Sequence, residues 1–230
     1  MKFERIWTGN WENAFHGLRH PMESYAKGDS YFGFTEFPEE EEIVLARTRG
    51  IYDVIHLGPN DLDLAQRMIK AGTPNDKFLR QIFVSIDITA PLYIWKELDT
   101  YKIGTTTNST STMHKLASTP ITLDCFEIDD YNSDIAYPED SSLPSPLGII
   151  QYCESLRKIY LKTKDIRYWK ELIRWLPESW LQTRTWTANY SVLRNIYHWR
   201  KNHKLTEWHQ FCDFIVNNLP YGKELIEFDN

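Results

Sequence analysis

Paired cysteines are missing from this sequence. Cys125, Cys153 and Cys212 are far apart and odd in number, which argues against a disulfide framework and leaves no CxxC metal pair. Reduced, mostly buried thiols are expected. No run of about eighteen apolar residues is present, so no membrane partner is expected. Met1 to Asn10 carries Lys2, Glu4 and Arg5 rather than the apolar centre of a signal peptide, and the expected location is cytoplasmic. An excess of positive charge is also lacking: 26 Lys and Arg stand against 32 Asp and Glu, a net charge of −6. Affinity for duplex nucleic acid comes largely from cations that neutralise phosphates, so no nucleic-acid polymer is expected as a partner. There is no G-x-G-x-x-G after a strand, no P-loop and no G-x-S-x-G. His198, His203 and His209 are spaced by five and six, which does not place a zinc-binding pair on one helix face. His16 and His20 have the i, i+4 spacing, but Gly17 and Pro21 in "HGLRHP" weaken the helix such a pair needs. No metal site is expected.

What remains is a chain of 230 residues, 42% hydrophobic and 25% charged, long enough to bury a real core as one domain spanning 1–230. Glu36 to Glu42, "EFPEEEE", reads as a solvated turn before the apolar stretch Ile43 to Ala46. Asn60 and Asp61 are placed to cap "LDLAQRMIKAG", whose apolar positions recur near a 3.6-residue period. In "QIFVSIDIT", Ile82, Val84, Ile86 and Ile88 alternate with Phe83, Ser85, Asp87 and Thr89, the period of a strand with one buried face. Ala90 to Leu98 reads as a helix with Pro91 in its first turn. Residues 129–146, rich in Asp, Ser and Pro, form a candidate surface excursion. Leu147 onward, then Thr187 to Lys201 and Leu205 to Asn218, read as helices, giving an α+β chain with a helix-rich C-terminal third.

The stretch after the Pro91 helix, "TYKIGTTTNSTSTMHKL" (Thr100 to Leu116), is dominated by Thr and Ser with one glycine, Gly104. Thr is stiff at χ1, and a flexible tether would use more glycine. Two readings stand: a surface loop rich in hydroxyl-stabilised turns, or a cradle that offers O–H and backbone N–H donors to a phosphate or a pyrimidine edge.

Ile86 to His114, "IDITAPLYIWKELDTYKIGTTTNSTSTMH", resembles the strand, Ala-Pro-started helix and signature loop of the flavin-dependent thymidylate synthases, whose pattern is approximately R-H-R-x-x-S-x-x-E-x-S-x-R-Y. Leu176 to Arg200, "LPESWLQTRTWTANYSVLRNIYHWR", is similar to the family's second block: Leu176, Pro177, Thr183, Trp186, Thr187, Asn189, Leu193, Asn195 and Arg200 match residues of that block in the same order. The resemblance covers roughly residues 60–222. It implies the thymidylate synthase-like α+β fold, FAD as cofactor, a homotetramer with sites built between subunits, and methylation of dUMP or a related pyrimidine nucleotide at C5 using reduced folate and NADPH. By position it assigns Lys102, Ile103 and Thr105 to the flavin, and Asn108, Ser109, Thr110, Ser111, Thr112 and Ser191 to the nucleotide. It assigns no catalytic nucleophile.

The departures fall on the chemistry. The R-H-R triplet lands on Thr100, Tyr101 and Lys102, or one residue later, and is absent in either register. The loop Glu becomes Asn108, its Ser becomes Thr110 and the following Arg becomes Thr112. The Arg of the second block becomes Ser191, and that of the last helix falls near Asn218. An Arg–phosphate contact is bidentate and charge-assisted, roughly twice as strong as a neutral hydrogen bond. Two readings therefore remain: an anion cradle rebuilt from hydroxyls, N–H groups and Lys102, or a non-catalytic flavin or nucleotide binder that keeps the scaffold.

Overall fold

A computed structural model describes residues 1–33, 54–128 and 145–229. The acidic run at Glu36 to Glu42, the apolar stretch Ile43 to Ala46 and nearly all of the 129–146 excursion lie outside the described residues. The strands are β1 (Lys2–Gly9), β2 (Tyr31–Gly33), β3 (Val54–His56), β4 (Phe83–Pro91), β5 (Thr106–Ser109) and β6 (Leu181–Asn189). The α-helices are α1 (Trp11–Arg19), α2 (Pro59–Ala71), α3 (Leu92–Leu98), α4 (Thr112–Lys115), α5 (Pro146–Thr163), α6 (Ile166–Arg174), α7 (Tyr190–Arg200) and α8 (Thr206–Asn217). A four-stranded sheet has the order β1-β4-β6-β5, and β2 pairs antiparallel with β3, Phe32 opposite Ile55. Among the described residues no helix is long and apolar enough to cross a membrane.

The Cα packing resolves two compact units. One comprises Met1–Lys2, Ile88–Thr100 and Asn108–Thr185; the other comprises Phe3–Asp87, Tyr101–Thr107 and Trp186–Asn230. In the first, α5 and α6 form a hairpin turned by Lys164 in the left-handed region (φ 56) and started by two side-chain caps, Ser145 on the Gly148 N–H and Asp165 on the Arg167 N–H. Each such cap satisfies a backbone donor that the helix leaves unpaired. The hairpin buries Ile150, Cys153, Leu156 and Leu172 against Leu116, Ile121 and Phe126. In the second unit, fully buried Trp11 meets Tyr190 edge-on at 5.0 Å. The Tyr190 hydroxyl donates to the Pro220 carbonyl at 2.8 Å, so the buried phenol keeps a partner. Removing a buried aromatic of this size typically costs about 3–5 kcal/mol.

The alternation read in "QIFVSIDIT" is the observed β4, with Val84, Ile86 and Ile88 fully buried. Other expectations need correction. Thr187 to Asn189 end β6 rather than opening a helix, and α7 begins at Tyr190. Pro91 closes β4 and caps α3 from outside instead of sitting in its first turn. Asn60 and Asp61 do not cap α2. Its N-cap is Gly58, and the Asp29 carboxylate, distant in sequence, accepts the Asn60 and Asp61 N–H groups at 2.9 and 3.0 Å. A carboxylate at a helix N-terminus also meets a favourable dipole. This frees Asp61 to pair with Arg19. Finally, α1 contains His16 and Gly17, and the chain continues as a 3-10 turn through His20, Pro21 and Met22. Pro21 lies in the first positions of that turn, where no N–H is missed.

Candidate functional site

The threonine-rich segment is neither a tether nor an open loop. Thr106 to Ser109 form β5, and Ser111 caps α4, its Oγ accepting the His114 N–H at 3.1 Å. Between them Thr110 is fixed through its main chain: its N–H donates to the Thr183 carbonyl at 2.9 Å, and its carbonyl accepts from Gln182 Nε2 at 2.7 Å. β-branched residues suit an extended strand, and Ser is a preferred N-cap. Local chemistry therefore explains why this sequence is ordered. Asn108 and Ser109 are exposed on β5, and Thr110 is exposed beyond it.

Beneath this segment lies a residue that the sequence reading missed. Arg184 of β6 donates from Nε to Gln182 Oε1 at 2.9 Å and from Nη1 to both Asp99 oxygens at 2.9 and 3.0 Å. Its guanidinium lies 4.4 Å from the Trp95 ring centre. The Trp95 indole in turn donates to the Gln182 carbonyl at 2.8 Å. Gln182 thus connects Thr110 to an arginine placed over an indole ring, a contact that favours a guanidinium. The signal was present in "QTRTWT", where Thr183, Thr185 and Thr187 alternate with Gln182, Arg184 and Trp186 in the period of a strand.

The residues assigned to the flavin lie in the other unit, as does Ser191. Gly104 has φ +77, a left-handed conformation, and a Cβ built on it would fall 2.8 Å from Asn189 Nδ2 and 3.5 Å from Val192 Cγ2. Only glycine lets this turn approach the start of α7 so closely. There Asn189 Oδ1 accepts the Val192 N–H at 3.1 Å, and Ser191 is half-buried in the first turn. The structure therefore brings Lys102, Ile103 and Thr105 next to the helix that carries Ser191, while Asn108 to Thr112 belong to the first unit. Lys102 and Ile103 are exposed, Ile103 at 91%. The Thr105 hydroxyl donates to the Tyr101 carbonyl. Tyr101, one of the positions on which the R-H-R triplet falls, accepts from Arg200 Nε at 3.0 Å, and the Arg200 guanidinium lies 4.7 Å from the Trp208 ring centre. Arg200, the arginine matched to the family's second block, is thus held by the Tyr101 hydroxyl and the Trp208 ring.

Chemically, the first segment offers hydroxyl and amide groups, and the second offers one exposed ammonium beside a capped helix N-terminus. Among the described residues no cluster of three or more His, Cys, Asp or Glu is assembled to hold a metal. Cys153 and Cys212 are buried, and Cys125 is half-buried. Burial pushes the Cys153 thiol up and the Cys212 thiol up to about 12, so neither is a poised thiolate.

This arrangement of strands and helices is the fold of the flavin-dependent thymidylate synthases. Two solved structures carry that likeness over almost the whole chain. Thymidylate Synthase X (ThyX) from Helicobacter pylori with FAD and dUMP aligns with a TM-score of 0.69 at 16% identity, covering 99% of this chain and 98% of that one. A second structure of the H. pylori flavin-dependent thymidylate synthase ThyX, complexed with FAD and dUMP, aligns at 0.63 with 14% identity and 99% coverage of both chains. No family sequence model matches the chain. No curated protein matches it in sequence.

Proposed function

We propose that this chain is a divergent flavin-dependent thymidylate synthase-like protein that binds FAD and a pyrimidine deoxynucleotide, dUMP or a close relative, as a homotetramer. The observation that carries this reading is the end-to-end likeness to two structures determined with FAD and dUMP. The cofactor segment fits the assignment physically. Gly104 lets the turn pack against Asn189 at the start of α7, Lys102 on that turn is an exposed cation, and the first turn of α7 is a helix N-terminus suited to an anion. In this reading Lys102, Ile103 and Thr105 hold the flavin and its diphosphate, and Asn108 to Thr112 together with Ser191 at the start of α7 face the nucleotide. FAD, when bound and reduced by NADPH, supplies the hydride for methylation at pyrimidine C5 with a reduced folate as carbon donor.

A specific observation favours a second reading, a binder without methyl transfer. The positions matched to the family's phosphate-holding arginines carry Thr112 and Ser191, and the Ser111 oxygen is engaged as a helix cap. Neutral contacts of about 0.5–1.5 kcal/mol each replace charge-assisted ones of about 1.5–3 kcal/mol. The deciding experiment is FAD titration by flavin fluorescence, followed by release of tritium from [5-³H]dUMP with FAD, NADPH and methylene-tetrahydrofolate. Tritium release above a heat-treated control supports the enzyme. FAD binding with no release supports the second reading, and no FAD binding rejects the enzyme and leaves a nucleotide binder, which a dUMP titration then accepts or rejects.

A further inference from the structure

We propose that His16 and His20 form a two-histidine chelate for borderline divalent metals such as Zn²⁺, Ni²⁺ or Cu²⁺. The two residues are one helical turn apart in sequence. The backbone keeps helical dihedrals through His20 (φ −55, ψ −43), so both side chains project from the same side of the chain. Their ring centres are 4.8 Å apart at 80°, within the span that one first-row ion bridges with Zn–N bonds of about 2.0–2.1 Å. Both residues are exposed. His16 lines a cavity of ≈ 200 Å³ and His20 lines a second one of ≈ 550 Å³, so solvent reaches the ridge they share.

The support around the pair is that of a metal site. His20 Nδ1 lies 2.6 Å from the Tyr25 hydroxyl. With the proton on Nδ1 donated to the phenol oxygen, Nε2 carries the free lone pair and the ring is held in place. Metal-bound histidines use this kind of outer hydrogen bond to fix tautomer and orientation. Tyr25 also stacks on His16 at 4.8 Å and 19°, so one aromatic residue steadies both imidazoles. Two neutral nitrogens select imidazole-binding metals over Mg²⁺ or Ca²⁺, which take oxygen ligands. Water fills the remaining positions, leaving an open coordination sphere.

The test is calorimetric titration of the purified, untagged chain with Zn²⁺ and separately with Mg²⁺, on wild type, His16→Gln, His20→Gln, Tyr25→Phe and a His198→Gln/His209→Gln control. The expected result is one Zn²⁺ equivalent in the wild type and in the control. Either single histidine change should weaken binding at least tenfold, Tyr25→Phe should weaken it by a smaller factor, and Mg²⁺ should give no heat of binding. Imidazole NMR of the wild type with Zn²⁺ should move the Nε2 resonances of His16 and His20 alone, which keeps the test valid if a variant folds poorly. Zn²⁺ binding that survives both histidine changes, or no binding in the wild type, overturns the proposal and leaves the three rings as a packing cluster.

Discussion

Replacing Asp61 by Asn should be among the most damaging single changes in the chain. Asp61 and Arg19 are buried, with side-chain exposures of 4% and 6%, and they meet at 2.7 Å. The carboxylate also accepts the Asp29 and Ser30 N–H groups at 3.1 and 2.9 Å, while the guanidinium donates to the Ser24 and Lys27 carbonyls at 3.2 and 3.0 Å. One ion pair thus fixes the segment between α1 and β2 against α2. Asn keeps the shape but leaves a buried guanidinium without its counter-charge, a loss of about 3–5 kcal/mol. For a chain of this size each kcal/mol moves the melting temperature by about 2–4 °C, so the midpoint should fall by about 6–20 °C. Arg19→Gln should cost a similar amount, and the double variant less than the sum, with a coupling of about 0.5–3 kcal/mol. Urea and thermal unfolding of all four proteins measure this. Burial pushes the Asp61 carboxyl up, but hydrogen bonds from Ser30 and Arg19 outweigh it and leave the group below its ordinary 3.8. Its contribution is therefore complete above that value and is lost as pH falls through the lower folded value. Asp61→Asn should flatten that acid limb. A midpoint within about 2 °C of wild type at neutral pH, or strict additivity in the cycle, would refute the reasoning.

Four further outcomes are expected. Ser111→Ala should destabilise locally by about 1 kcal/mol, read by faster amide exchange at His114, because it removes the cap of α4. Thr110→Val with Thr112→Val should leave the main-chain anchor of Thr110 intact yet weaken nucleotide affinity by about 1–3 kcal/mol in calorimetry; unchanged affinity for a nucleotide that binds would remove the hydroxyls from the site. The Glu154 carboxyl, drawn down to about 2 chiefly by its hydrogen bond from Arg157, should support stability above its ordinary 4.5 and lose that effect as pH falls toward 2. Carboxyl NMR titration against Glu154→Gln checks it. With a thiol reagent at pH 8 the folded protein should expose Cys125 first, while Cys153 and Cys212 react on unfolding; three fast equivalents would contradict the burial described.

Regular periodicity was readable where one residue type filled each face. Val84, Ile86 and Ile88 declared β4 without help from the rest of the chain, and the end-to-end likeness to ThyX confirms the fold that two short sequence blocks implied. β6 was harder to read because its buried side carries Gln182 and Arg184 beside Trp186, polar residues whose burial depends on Trp95 and Asp99 from another element. The α2 cap was misread for the same reason: the Asp29 carboxylate reaches it across thirty-one residues, a distance at which local capping rules have no purchase. Proline and glycine near His16 argued against a helix, yet Pro21 falls in a turn that tolerates it. The hydroxyl-rich segment was legible as ordered, but the sequence could not separate hydroxyls that cap or bond their own backbone, Ser111 and Thr105, from those left facing solvent.

The left-handed turn at Gly104 makes the cofactor segment behave as a latch with one fixed pin. A side chain at that position would have to displace Asn189, whose amide oxygen starts α7, so the shape of the turn and the beginning of the helix stand or fall as one mechanical part. Lys102 and Ile103 project outward from the same turn and touch no such pin. The segment can therefore change what it displays to a visiting molecule without any change in where it displays it, which allows an altered set of contacts to be carried on an unaltered scaffold.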